Sequence, residues 1–121
     1  MTDEILQRRE RWRRVWGAIA VAWGIASGAF AAHAITEPVA ADWMRTAGLY
    51  MMIHGVAVIV LADGRYRTAT KLMFSGACLF AVTLSAMAAG GPHWLGAVTP
   101  IGGVLMIAGW ICVAWTEFRR R

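Results

Sequence analysis

The chain has 121 residues, 59% of them hydrophobic, with a mean hydropathy of +0.53, a net charge of +5 and an isoelectric point near 10.2. A soluble domain of this size alternates short apolar runs with polar faces, but here four stretches hold no Asp, Glu, Lys or Arg: Val15 to Ala32, Thr46 to Ala62, Leu72 to Trp94 and Leu95 to Thr116. Each suits a spanning helix of roughly 17–25 residues, so no soluble domain is left to present a basic nucleic-acid face.

In chain order, residues 1–14 read as a basic amphipathic segment. Asp3 to Arg14 forms a short helix on the membrane surface, with Ile5, Leu6, Trp12 and Trp16 toward lipid and the arginines toward headgroups. A plain basic topogenic tail is the alternative. The first span covers about 15–32. Its basic flank and Ala29-Phe30-Ala31 also resemble a secretory signal with a cleavage site, but the run is long enough to span, which predicts an uncleaved first helix.

A polar loop from His33 to Asp42 contains Pro38. The second span, about 43–62, has Trp43 as an interfacial anchor and Arg45 snorkelling outward. Asp63-Gly64-Arg65 turns the chain, and the third span covers about 70–89. Gly90-Gly91-Pro92 makes a tight turn before the fourth span, about 95–115. Thr99-Pro100 allows two readings of that span: a helix starting at Pro100, which proline favours, or a kinked helix from Trp94. The predicted fold is all-α, an integral membrane four-helix bundle.

Charge sets the expected orientation. Arg8, Arg9, Arg11, Arg13 and Arg14 precede the first span, Arg65, Arg67 and Lys71 separate the second from the third, and Arg119 to Arg121 end the chain. Only Arg45 falls on the other side. The positive-inside rule then predicts both termini in the cytoplasm and contact with anionic headgroups. Close helix packing is expected at Gly24 and Gly28, with Gly17 behind them, at Gly102 and Gly109, and at Ala77 and Ala81. Cys78 and Cys112 read as small packing residues.

Several short motifs run in order through the chain. Gly28-Ala29-Phe30-Ala31-Ala32-His33 is followed by Trp43 with Thr46, Tyr50 and His54, then Phe74-Ser75-Gly76, then Thr99-Pro100-Ile101-Gly102-Gly103, then Gly109-Trp110. Together they resemble the small bacterial membrane proteins known as domain of unknown function 423, to which animal transmembrane protein 256 is related. The chain departs from that pattern at Ala31, Gly55 and Ala77. The resemblance implies a four-helix protein of the bacterial inner membrane and implies no particular activity.

His54 is the ionisable side chain well inside a span. It lies about seven residues in, roughly 10 Å below the outer boundary at 1.5 Å per residue. Tyr50 is one turn away on the same face, and Thr83 and Ser85 are the expected hydrogen-bond partners by depth. An intramembrane histidine is either a functional group or a neutral donor in one interhelical hydrogen bond. His33 and His93 lie near the same outer surface, with Met51 or Met52 as soft ligands, but no paired-ligand spacing supports a metal, and none is expected, nor any cofactor. With no catalytic set, the expectation is a non-enzymatic accessory or assembly subunit, packed against other membrane subunits or itself. A small oligomeric transporter using His54 and Tyr50, or an outward-facing metal or haem protein, is the alternative.

Overall fold

Nothing between Asp3 and His33 stops a helix: the stretch has no proline, and its charged and apolar halves are both rich in good helix formers. In the computed structural model, which describes residues 2–120, α1 runs unbroken over Asp3–His33. The predicted surface helix is therefore corrected to the first turns of one long helix. Met1 of that basic segment, and the terminal Arg121, lie outside the described residues. Side chains show why the extension stays in line. Glu10 accepts the Gly64 N–H at 3.2 Å, and the Arg13 guanidinium donates to the carbonyls of Ala62 at 2.8 Å and Asp63 at 3.3 Å. These bonds tie α1 to the turn that follows the second helix.

Helix α2 spans Pro38–Val60 and begins five residues before Trp43. Pro38 takes the first helical position, where its missing N–H is no loss. Glu37 caps it, accepting from the N–H of Val39 at 3.0 Å and of Ala40 at 2.6 Å. We expect Glu37→Ala to lower stability by about 0.5–2 kcal/mol, the usual worth of an N-terminal cap. Equilibrium unfolding in detergent measures this, and an unchanged midpoint would show that the cap is idle.

A single 3₁₀ turn at Gly64–Tyr66 leads into α3, Arg67–Ala88. The end of α3 explains the Gly90-Gly91 pair. Gly90 has φ +90°, the left-handed region open to glycine, and the N–H groups of Gly91 and Gly90 return to the carbonyls of Ala86 at 2.8 Å and Met87 at 3.0 Å. This double bond pattern satisfies carbonyls that the helix end would otherwise leave open. Helix α4 then covers Leu95–Phe118 with Pro100 inside it. Of the two readings, the helix that already begins beside Trp94 and runs through Pro100 is the one that forms. Pro100 is exposed, and the bond it removes is the one to the Gly96 carbonyl.

The helices pack in chain order, α1 on α2, α2 on α3 and α3 on α4, with no broad interface between α1 and α4 to close the ring. Each terminal hairpin is drawn together by small residues seven positions apart, a step that returns to nearly the same helix face. In the first, Gly17 faces Gly55 and Gly24 faces Gly48, and a Cβ on any of the four would sit 2.5–2.7 Å from the facing carbonyl oxygen. In the second, Gly76 and Gly102 meet reciprocally at 2.6 Å, and a Cβ on Gly109 would lie 3.0 Å from the Ala69 carbonyl oxygen. Gly28 and Gly103 take no part, having nothing within 4 Å of a built Cβ. The predicted Gly24–Gly28 pair is thus replaced by Gly17 with Gly24, because two full turns, not one, match the crossing of α2. Between the hairpins, the α2–α3 interface buries Ala47, Met51, Ala77, Ala81, Leu84 and Met87.

Candidate functional site

His54 lies on α2 and is 4% exposed. Its Nδ1 is 2.7 Å from the carbonyl oxygen of Tyr50, one turn earlier. A carbonyl can only accept, so Nδ1 carries the proton. The indole Nε1–H of Trp110, on α4, donates to His54 Nε2 at 3.1 Å. An indole can only donate, so Nε2 is bare. The two one-way partners leave a single arrangement, the neutral imidazole protonated at Nδ1.

Aromatic rings complete the surroundings. Tyr50 stacks on His54 with ring centroids 6.3 Å apart and planes 11° from parallel, and Tyr50 also meets Phe80 of α3 at 4.9 Å. The Trp110 ring tilts over the imidazole at 6.1 Å. Helices α2, α3 and α4 therefore converge on this point.

Here the expected partners are corrected. Measured from Pro38, His54 is sixteen residues along α2, about 24 Å at 1.5 Å per residue. The Tyr50–Phe80 contact fixes the antiparallel register and places Gly76 and Ala77 beside His54. Thr83 and Ser85 lie about two turns or more away along α3. Thr83 instead shares a buried 2.7 Å hydrogen bond with Thr99 of α4, and the Ser85 hydroxyl points to the Met44 sulfur at 3.7 Å. Gly109-Trp110 is visible as a motif in the sequence, but its pairing with His54 is not. The usable signal was Gly109: it brings α4 onto Ala69 and Met73, so the next side chain can pass the edge of α3 and reach α2.

The remaining marked residues scatter. His33 is exposed at the end of α1, and His93 meets Trp43 edge-on at 6.0 Å near the α3–α4 turn. The three histidines do not converge, and among the described residues no group of three His, Cys, Asp or Glu side chains could hold a metal. Phe30 and Ser75 are exposed, and Gly28 and Gly103 face open space. Gly24, Gly76, Gly102 and Gly109 are buried in the hairpin crossings, and Thr99 is buried just ahead of the exposed Pro100. Cys78 and Cys112 are free thiols on half-buried positions. What the His54 cluster can do chemically is narrow. It fastens α2 to α4, and a second proton on the imidazole would break the bond to Trp110.

Residues 27–103 match the family described as "Protein of unknown function (DUF423)". The chain is 34% identical over 106 residues to the UPF0382 membrane protein of Haemophilus influenzae, covering 80% of this chain and 86% of that one. It is 34% identical over 110 residues to the UPF0382 membrane protein YwdK of Bacillus subtilis (82% and 89% covered) and 31% identical over 114 residues to the UPF0382 membrane protein SH2409 of Staphylococcus haemolyticus (87% and 93%). No solved structure matches. With four helices long and apolar enough to cross a membrane, and relatives named as membrane proteins over nearly their whole length, the chain belongs to the DUF423 family and is a membrane protein with four transmembrane helices.

Proposed function

We propose that the protein is a non-enzymatic accessory or assembly subunit of the bacterial inner membrane, lying with its basic end toward the cytoplasm. The observation that carries this reading is the contrast between a closed interior and open outer helices. Inside, His54 has both nitrogens occupied, and no Asp or Glu lies in the apolar stretches. Outside, the spanning windows of α1 and α4 are only 28% and 22% buried, against 39% for α2 and α3. Each outer helix has one broad packing neighbour and offers large apolar side chains, such as Ile25 and Phe30 on α1 and Val104 and Ile107 on α4. Gly28 and Gly103 lie on these same two helices with space above them. Small residues of that kind let another backbone approach closely in lipid. The connecting segments, such as 34–37 and 89–94, are too short to build a soluble active site. A transporter that moves protons through His54 has less support, since its imidazole is already committed to two partners.

The test is gentle detergent extraction of the tagged chain from its native membrane, followed by native mass spectrometry. The expected result is a stoichiometric complex with a different membrane protein. A lone chain or small homo-oligomer would overturn the subunit reading, and a flux assay on His54→Ala would then decide on transport.

A further inference from the structure

Helices α1 and α3 both rest on α2 but leave an open groove between them. At membrane depth the groove is walled by Trp16, Ile19, Trp23, Phe74, Cys78 and Val82 and measures about 400 Å³. Past Trp16 and Phe74 it continues into a cleft of about 500 Å³ whose charged walls are Arg9, Arg13, Arg67 and Lys71, with Trp12 at the rim. No acidic side chain lines either part. Among the described residues none of these four bases forms an ion pair. Arg13 uses Nη1 on the Ala62 and Asp63 carbonyls, which anchors it in the wall and leaves its charge uncompensated by that contact. Glu10 and Asp63 bond backbone, Glu10 taking the Gly64 N–H and the Asp63 carboxylate the Arg65 N–H, and they offset only part of the charge at Arg13, which Arg67 and Arg9 also crowd. Helix α3 also starts here, with no side-chain cap and no acidic residue in its first turn, so its positive dipole end faces the same mouth.

Along α1 the groove is about as deep as one lipid leaflet. From Arg13 to Trp23 is ten residues, about 15 Å at 1.5 Å per residue, half of a hydrocarbon core about 30 Å thick. The groove ends at Trp23 on α1, and on α3 its wall continues to Ser85, three residues before the end of that helix. Charge at one end and apolar walls below it are the requirements of a single amphiphile with an anionic head.

We propose that this groove seats one anionic phospholipid, its phosphate among Arg9, Arg13, Arg67 and Lys71 and one acyl chain along Trp16, Trp23, Phe74 and Cys78. Such a seat differs from diffuse attraction of the basic end to a charged surface, because it depends on which bases are present and not only on how many.

The delipidated protein is titrated with phosphatidylglycerol and with phosphatidylcholine of the same acyl chains, and bound lipid is counted by native mass spectrometry. One phosphatidylglycerol per chain should be retained, at least tenfold more tightly than phosphatidylcholine. The variant Arg9→Gln/Arg67→Gln/Lys71→Gln should lose that preference. The control Arg8→Gln/Arg11→Gln/Arg14→Gln removes the same charge from positions outside the groove and should keep it. Equal loss in both variants, no preference in the native chain, or displacement of the lipid by inorganic phosphate alone would overturn the proposal. A measurement on the unmodified chain removes any doubt about folding. Phosphatidylglycerol carrying a mid-chain photoreactive group should label Trp16–Trp23 and Phe74–Val82. Labelling confined to α4, or none because a second copy fills the groove, would also overturn it.

Discussion

Gly76→Ala should destabilise the protein by about 1–3 kcal/mol, the usual cost of overpacking a well-filled interface. The added methyl would stand 2.6 Å from the Gly102 carbonyl oxygen, 2.8 Å from the Leu105 Cβ and 2.8 Å from the Met106 amide nitrogen. Two of these are backbone atoms of α4 and the third is fixed to it, so no side-chain rotation relieves the clash. The helices must separate. Separation also strips dispersion contacts from Met106 and Gly109, which in lipid have no hydrophobic drive to replace them. Gly103→Ala is the matched control on the facing helix: its Cβ meets nothing within 4 Å, so a change within about 0.5 kcal/mol is expected. Equilibrium unfolding of both variants in the same detergent reads the difference. Equal stability of the two would mean that the α3–α4 crossing does not need close backbone approach.

The second large effect concerns His54 and Trp110. Trp110→Phe keeps an aromatic ring but removes the donor that Nε2 has among the described residues, leaving a buried acceptor open at a cost of about 1–3 kcal/mol. Hydrogen bonds between membrane helices average nearer 0.6 kcal/mol because the unpaired groups find other partners. The larger figure is expected here because His54 is 4% exposed and its other nitrogen is committed to Tyr50. The double variant His54→Phe/Trp110→Phe removes donor and acceptor together and should be less destabilised than the sum of the single changes. Additive losses would mean that the two side chains contribute only by packing. Nitrogen-15 NMR of labelled histidine gives an independent check. At neutral pH His54 should show a protonated Nδ1 and an unprotonated Nε2, and the opposite tautomer would refute the assigned geometry.

Close packing of the hairpins also explains why the sequence pattern was only partly informative about contacts. Gly24 and Gly28 make a familiar spacing, but spacing describes one helix and a contact belongs to two. Whether a glycine is used depends on the axis of the neighbour, and α2 happens to meet α1 at Gly17 and Gly24. The same limit applied to His54. Its burial and ionisable character were legible, while its partner lay 56 residues away on a helix that is not its neighbour in the chain.

The number of crossings, their approximate limits and the membrane environment followed from the sequence alone. Apolar stretches of spanning length and charges confined to their ends are local properties, and lipid forces each such stretch to satisfy its own backbone as a helix. Pro38 after Glu37, and Gly90 before Gly91, likewise act within a few residues, although the cap moved α2 to an earlier start than its apolar pattern implied. Tertiary structure alone decided three things. It fastened the Glu10 and Arg13 end of α1 to the turn after α2. It selected which small residues carry the hairpins, and it turned His54 toward Trp110. Each of these depends on distances between segments far apart in the chain. Hydropathy and helical period repeat along one helix and hold no record of the angle, register or rotation at which a second helix meets it.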